Sequence, residues 1–171
     1  MKLEDYIRDI PDFPKEGILF KDITPLLADA NAFRLAITKL ANEIDDCTAT
    51  KIIGIESRGF VFGAALALEL GYGFAPIRKK GKLPYDTVSY EYALEYGTDH
   101  VEMHVDAVEP GESVLVIDDL LATGGTVAAA THLIESVGGH VEAVAVLIEL
   151  AFLGGRKKLG SHRFHAVLSY D

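Results

Sequence analysis

Two adjacent acids, Asp118 and Asp119, end an apolar run, Val114 to Ile117. After Leu120 and Leu121 come Ala122-Thr123-Gly124-Gly125-Thr126 and then a helix-prone stretch, Val127 to Val137. The order reads as a buried parallel strand, a glycine-hydroxyl turn and a helix N-terminus. Such a junction attracts anions, because the unpaired N–H groups of the first helical turn and the positive end of the helix dipole both face the turn. Gly124 and Gly125 let the backbone approach a phosphate with no Cβ in the way, and Thr123 and Thr126 add hydroxyl donors. Acids at the C-terminal lip of a strand lie where open α/β sheets bind ligands. A phosphate cradle beside two carboxylates suits a phosphorylated sugar whose hydroxyls face the acids. A lone double-glycine turn would be an ordinary strand-to-helix connection with a solvated acidic lip. The uninterrupted order of apolar run, acids, turn and helix favours the binding reading. No G-x-x-x-x-G-K-[ST] and no G-x-G-x-x-G occurs, which argues against a triphosphate loop and a dinucleotide fingerprint.

A second anion site is legible at Glu56-Ser57-Arg58-Gly59, where a strand ends in a tight turn and a helix begins. Arg58 can grip a phosphate bidentately, and the helix start supplies N–H donors. By itself S-R-G is a surface turn; at a strand end of the same sheet it becomes a partner for the first cradle. The densest positive charge is Arg78-Lys79-Lys80-Gly81-Lys82. A charge run is often only a solvated face, but fixed cations also stabilise a departing pyrophosphate. The following SYEYALEYG carries Glu91, Glu95 and three tyrosines. It is either an exposed hairpin or a loop that closes over a site and excludes water.

The elements that must position these groups follow from periodicity. Leu3, Ile7 and Ile10 recur at helical spacing, predicting a short amphipathic helix over residues 2–10. Pro11, Pro14 and Gly17 break the chain into a loop that ends in ILFKDITPLL. Helices are expected from Phe33 to Ile44, Phe60 to Leu70 and Val127 to Val137, and strands at Lys51 to Glu56, Phe74 to Ile77, Val114 to Ile117, Val141 to Ile148 and Phe164 to Leu168. Residues 79–86 lack apolar periodicity and read as an exposed loop. Val88, Tyr90, Tyr92 and Leu94 alternate, as do Val101, Met103 and Val105, predicting an antiparallel pair around a turn at Gly97. Alternating strands and helices imply a three-layer α/β domain with a mainly parallel central sheet flanked by helices.

Composition bounds the rest. A chain of 171 residues with 49% apolar and 25% charged residues is expected to form one domain over 1–171. A net charge of −10 argues against a nucleic-acid or anionic-membrane surface. Cys47 is the only cysteine, so no intrachain disulfide forms and a reducing cytoplasm is expected. The start, MKLEDYIRDI, has no apolar segment of a secretory signal, and no apolar run is long enough to span a bilayer. The six histidines carry no assigned role: His100 and His104 would share a strand face without a third ligand, and His162 and His165 are expected at the surface.

VIDDLLATGGT resembles the phosphoribosyl pyrophosphate (PRPP) motif of type I phosphoribosyltransferases, and ATGGT after DDLL is similar to the adenine-specific branch. PDFPKEGILFKDITPLL (Pro11 to Leu27), ESRGFVFG (Glu56 to Gly63), IRKKGKLP (Ile77 to Pro84), LEYG (Leu94 to Gly97) and IEL (Ile148 to Leu150) are collinear with that branch. The resemblance implies the family fold, with a base-binding hood segment in residues 1–30 and a flexible β-hairpin loop. It implies transfer of ribose 5-phosphate from PRPP to N9 of adenine, giving AMP and pyrophosphate, by a homodimer using Mg²⁺ held mainly through PRPP, with no metal-binding residue of the chain assigned. By position, Phe20 and Lys21 would hold adenine, the latter through its backbone. Asp118 and Asp119 would hold the ribose hydroxyls, and Ala122, Thr123, Gly124, Gly125 and Thr126 the 5′-phosphate. Ser57, Arg58, Arg78, Lys79 and Lys82 would face pyrophosphate, and Glu95 would handle a proton near the base. The resemblance also implies a non-proline cis peptide joining Glu56 and Ser57. Two alternatives are a related transferase for 6-oxopurines or xanthine, differing in the base pocket, and a non-catalytic PRPP-sensing regulator.

Overall fold

The computed structural model describes residues 1–94 and 97–171. These residues form two compact units, 1–39 and 40–171.

In the first unit a 3-10 turn, Leu3–Tyr6, leads into strand β1 (Arg8–Pro11), which pairs antiparallel with β2 (Leu19–Asp22). The helix expected over residues 2–10 is therefore wrong. Only Leu3 of the 3-10 turn is buried, and Ile10 instead faces Phe20 as a cross-strand partner. The backbone of residues 8–11 pairs with β2 as a ladder rather than forming helical bonds. Phe13 and Phe20 stack edge to face with ring centroids 5.0 Å apart. Helix α1 (Thr24–Ala28) carries Pro25 in its first turn, where the missing N–H costs nothing. Asp22 accepts hydrogen bonds from the Thr24 amide and hydroxyl at the entry to α1. Helix α2 (Ala30–Glu43) begins where Asp29 accepts bonds from the Asn31 and Ala32 amides.

In the second unit the remaining strands are β3 (Lys51–Ile55), β4 (Gly73–Lys79), β5 (Thr87–Ala93), β6 (Thr98–His104), β7 (Ser113–Leu121), β8 (His140–Leu150) and β9 (Phe164–Tyr170). They build a seven-stranded sheet in the order β5-β6-β4-β3-β7-β8-β9. β4, β3, β7, β8 and β9 run parallel, and the β5–β6 hairpin adds antiparallel to the β4 edge. β7 and β8 are buried along almost their whole length, as strands covered on both faces must be. Helix α4 (Gly125–Ser136) packs Leu133 and Ile134 into a core with Ile53, Ile55, Val116 and Val144. Helix α3 (Arg58–Leu70) lies over the opposite side-chain set, its Gly63 close to Ile52 and Gly54. The expected three-layer, mainly parallel architecture is the one observed.

The order of strands locates the site. From β3 the chain crosses through α3 to β4 on one side, whereas β7 joins β3 on the other. That reversal opens a crevice beyond the C-terminal ends of β3 and β7, where doubly wound sheets bind ligands.

Candidate active site

The crevice holds a cavity of about 240 Å³ lined by Glu56, Ser57, Arg58 and Lys79 on one side and by residues 118–127 on the other. Both motifs that the sequence singled out meet there. α3 starts at Arg58 and α4 at Gly125, and neither N-cap residue, Ser57 or Gly124, makes a side-chain capping bond. Two helix starts without side-chain caps thus border one space. The peptide between Glu56 and Ser57 is cis, as expected.

Strand β7 runs further than its apolar pattern indicated. It continues through Asp118 and Asp119 to Leu121, so the acids are not a solvated lip but part of the sheet, 9% and 5% exposed. The Asp119 amide donates to Asp118 Oδ1 at 2.8 Å. Asp119 Oδ2 lies 2.8 Å from Arg58 Nη2. Burial pushes the Asp118 carboxyl well up and the neighbouring Asp119 charge adds to this. Asp119 is also raised by burial, with the Arg58 guanidinium pulling the other way.

Gly124 is required by geometry. Its φ is +80°, and a Cβ on it would sit 2.4 Å from the Gly155 carbonyl oxygen. The turn is therefore pressed against the backbone of a 3-10 turn, Gly155–Leu159, that follows β8.

Of the five residues expected to face pyrophosphate, Ser57, Arg58 and Lys79 line the cavity, while Arg78 and Lys82 are not among its lining residues. Glu56 gathers the basic segment. It accepts from the Lys79 amide at 2.9 Å and Arg78 Nε at 3.3 Å, and it pairs with Lys82 Nζ. Burial would raise the Glu56 carboxyl, but these donors outweigh it and hold it below the usual range. Lys79 Nζ pairs with Asp99 and bonds the Tyr92 hydroxyl at 2.9 Å, and that hydroxyl is 3.1 Å from Thr126 Oγ1. One tyrosine on β5 thus bridges the basic strand end and the start of α4. Sequence reasoning named the tyrosines but did not separate Tyr92 from its neighbours; its partners Lys79 and Thr126 come from two other segments.

Phe20 and Lys21 belong to the first unit. Lys21 is buried, and its Nζ contacts Asp9 Oδ1 at 2.6 Å. Glu95 lies outside the described residues. His162 and His165, expected at the surface, are half-buried, their side chains 21% and 22% exposed. The two nitrogens of His162 bridge the Leu159 carbonyl and Glu135, each at 2.7 Å. Among the described residues no cluster of three potential metal-ligating side chains occurs, and no helix is long and apolar enough to cross a membrane.

Two helix starts, two buried acids and a cationic strand end are parts that many phosphosugar sites share, so comparison with known proteins decides the family. A phosphoribosyl transferase domain model matches residues 26–167. The adenine phosphoribosyltransferase of Kosmotoga olearia is 53% identical over 170 residues, covering 99% of this chain and 100% of that one. The crystal structure of adenine phosphoribosyltransferase from Thermoanaerobacter pseudethanolicus superposes with a TM-score of 0.96 at 53% identity, covering 99% of this chain and all of the other. That of the Saccharomyces cerevisiae enzyme, complexed with an imino-altritol 1,6-bisphosphate and adenine, gives 0.89 at 39% identity over 95% of this chain and 94% of that one. Sequence and fold agree over nearly the whole length, and the chain belongs to the adenine phosphoribosyltransferases of the phosphoribosyltransferase family.

Proposed function

We propose that the chain moves ribose 5-phosphate from PRPP to N9 of adenine, producing AMP and pyrophosphate in purine salvage. The observation that carries this is the pair of helix starts flanking two buried acids in one cavity. PRPP has the matching layout: a phosphate at one end, a pyrophosphate at the other and a diol between. The yeast relative's complex with a bisphosphate and adenine supports the same pairing of ligands.

In this reading the amides after Gly124, with the Thr123 and Thr126 hydroxyls, hold the 5′-phosphate. Asp118 and Asp119 accept from the ribose hydroxyls, which fixes the ring and sets negative charge near the cationic C1′ as the leaving group departs. Ser57, Arg58 and Lys79 take up charge building on pyrophosphate, with Arg78 and Lys82 arranged behind them by Glu56. Ground-state positioning supplies much of the rate, since N9 meets a carbon already held in place. Phe20 and Lys21 recognise the base, and Glu95 handles its proton. A magnesium ion, a hard oxygen-seeking cation that keeps several waters, would be carried mainly on the PRPP oxygens. When bound, that ion neutralises pyrophosphate charge. We place the enzyme in the cytoplasm as a homodimer.

The test is pyrophosphate release from PRPP and Mg²⁺ with and without adenine. Release that depends on adenine supports the transferase. PRPP binding with no release under any base would favour the sensing regulator.

A further inference from the structure

The IEL segment contributes a buried acid, Glu149, that the proposed chemistry does not use. It stands near the end of β8, in register with Leu121 of β7, the residue just before the phosphate turn. Its side chain is 5% exposed, and it receives both arms of Arg156: Nε to Oε1 at 2.6 Å and Nη2 to Oε2 at 2.8 Å. The guanidinium also lies 4.6 Å from the centroid of the Phe164 ring. Arg156 is thus fixed by a fork of two bonds and an aromatic face.

Arg156 belongs to the same 3-10 turn as Gly155, and Gly155 is the piece of backbone on which the phosphate turn rests. A Cβ on Gly155 would lie 2.4 Å from the Ala122 carbonyl oxygen and 3.0 Å from the Gly124 nitrogen. The two turns touch backbone to backbone, so a shift in one is passed to the other. Only glycine fits on either side, and the Glu149–Arg156 fork ties the start of the supporting turn to the sheet strand beside Leu121, while buried Leu159 seats its far end in the core.

We propose that Glu149 and Arg156 are positioning residues for the 5′-phosphate site: they clamp the Gly155 turn under Ala122 to Gly124 and so set where the phosphate-binding amides point. This rests on the assignment of the 5′-phosphate to that turn. Neither residue touches substrate. Loosening the clamp weakens binding of anything carrying the 5′-phosphate and leaves adenine recognition alone.

The experiment compares wild type with Arg156→Lys, Glu149→Gln, their double variant and Gly155→Ala. Arg156→Lys keeps the charge but loses the fork. Gly155→Ala keeps the clamp and pushes the phosphate turn directly. Binding of ribose 5-phosphate is measured by calorimetry, with KM for PRPP and for adenine alongside. The expected result is that Arg156→Lys, Glu149→Gln and Gly155→Ala each weaken ribose 5-phosphate binding and raise the PRPP KM by roughly tenfold or more, as displacement of a positioned group does. The adenine KM stays within about twofold, and the double variant is no worse than the weaker single, because both act through one pair. A lowered melting temperature with unchanged ribose 5-phosphate binding and PRPP KM would reduce the pair to a structural tie and overturn the inference. Should one of Arg156→Lys and Glu149→Gln fail to fold, the other still decides, since either alone breaks the fork. Wild type that fails to bind ribose 5-phosphate, yet binds adenine, would remove the 5′-phosphate assignment itself.

Discussion

Gly59 sets two ordinary expectations against each other. It is the second residue of α3, where alanine is the better helix former by ~0.5–1 kcal/mol. On propensity alone Gly59→Ala would stabilise the protein. The surroundings say the opposite. A Cβ there would meet Asp118 Oδ1 at 2.7 Å, the Asp118 Cα at 3.1 Å and the Ile117 carbonyl oxygen at 3.1 Å. Two of these are backbone atoms of a buried strand and cannot swing aside, so α3 must back away from β7. Overpacking of this kind costs ~1–3 kcal/mol, and a partial gain in propensity leaves a net loss of ~1–2 kcal/mol. For a chain of this size that is a fall in Tm of roughly 2–8 °C. The displaced groups, Arg58 and Asp118, both line the cavity, so kcat/KM should fall by tenfold or so as well. Differential scanning calorimetry and steady-state kinetics on the same preparation measure both. Gly73→Ala is the control, since its Cβ would meet nothing closer than 3.8 Å, and it should shift stability by less than ~0.5 kcal/mol. A Gly59→Ala protein with an equal or higher Tm and unaltered kcat/KM would refute the packing argument.

Asp118→Asn should raise Tm at pH 7 without ligand, because it removes a buried charge beside Asp119, while lowering kcat by roughly a hundredfold; a destabilised variant would show that the carboxylate is satisfied by more than its visible partners. Tyr92→Phe removes the hydroxyl shared by Lys79 and Thr126 and should cost ~1 kcal/mol of stability with a several-fold rise in the PRPP KM, read by denaturant titration and kinetics. Glu56 is an acid held below its usual range, so its pairing contributes stability above an unfolded value of about 4.3 and loses it as pH falls through the folded value. Wild type should therefore lose Tm more steeply than Glu56→Gln below about pH 4.3, and parallel curves from pH 3 to 7 would contradict this.

The site's framework was legible where chemistry and local order coincide. VLVIDDLLATGGT gives strand, acids, turn and helix in one run, and each is observed. The strand was read too short because Asp118 and Asp119 break the apolar pattern, yet the β8 ladder carries β7 through both acids. The N-terminal segment misled in the other direction. Leu3, Ile7 and Ile10 mimic a helical stripe, but pairing of Arg8 with Asp22 and Pro11 with Leu19 claims the backbone for a ladder. What supports the turn at residues 122–124 was out of reach. Gly155 lies some thirty residues beyond the turn it supports, and neither glycine spacing nor the charge of Arg156 announces that contact. The link from Tyr92 to Lys79 and Thr126 likewise exists only once three separate segments are folded together.

The most direct measurement offers equimolar adenine and hypoxanthine to the enzyme with limiting PRPP and Mg²⁺ and quantifies the two nucleotides by chromatography. A base site built to match the N1 acceptor and N6 donor of adenine mispairs twice with a 6-oxopurine, at ~1–3 kcal/mol per buried group. The account predicts AMP in at least roughly thirtyfold excess over IMP. Comparable amounts of both nucleotides, or IMP in excess, would contradict it.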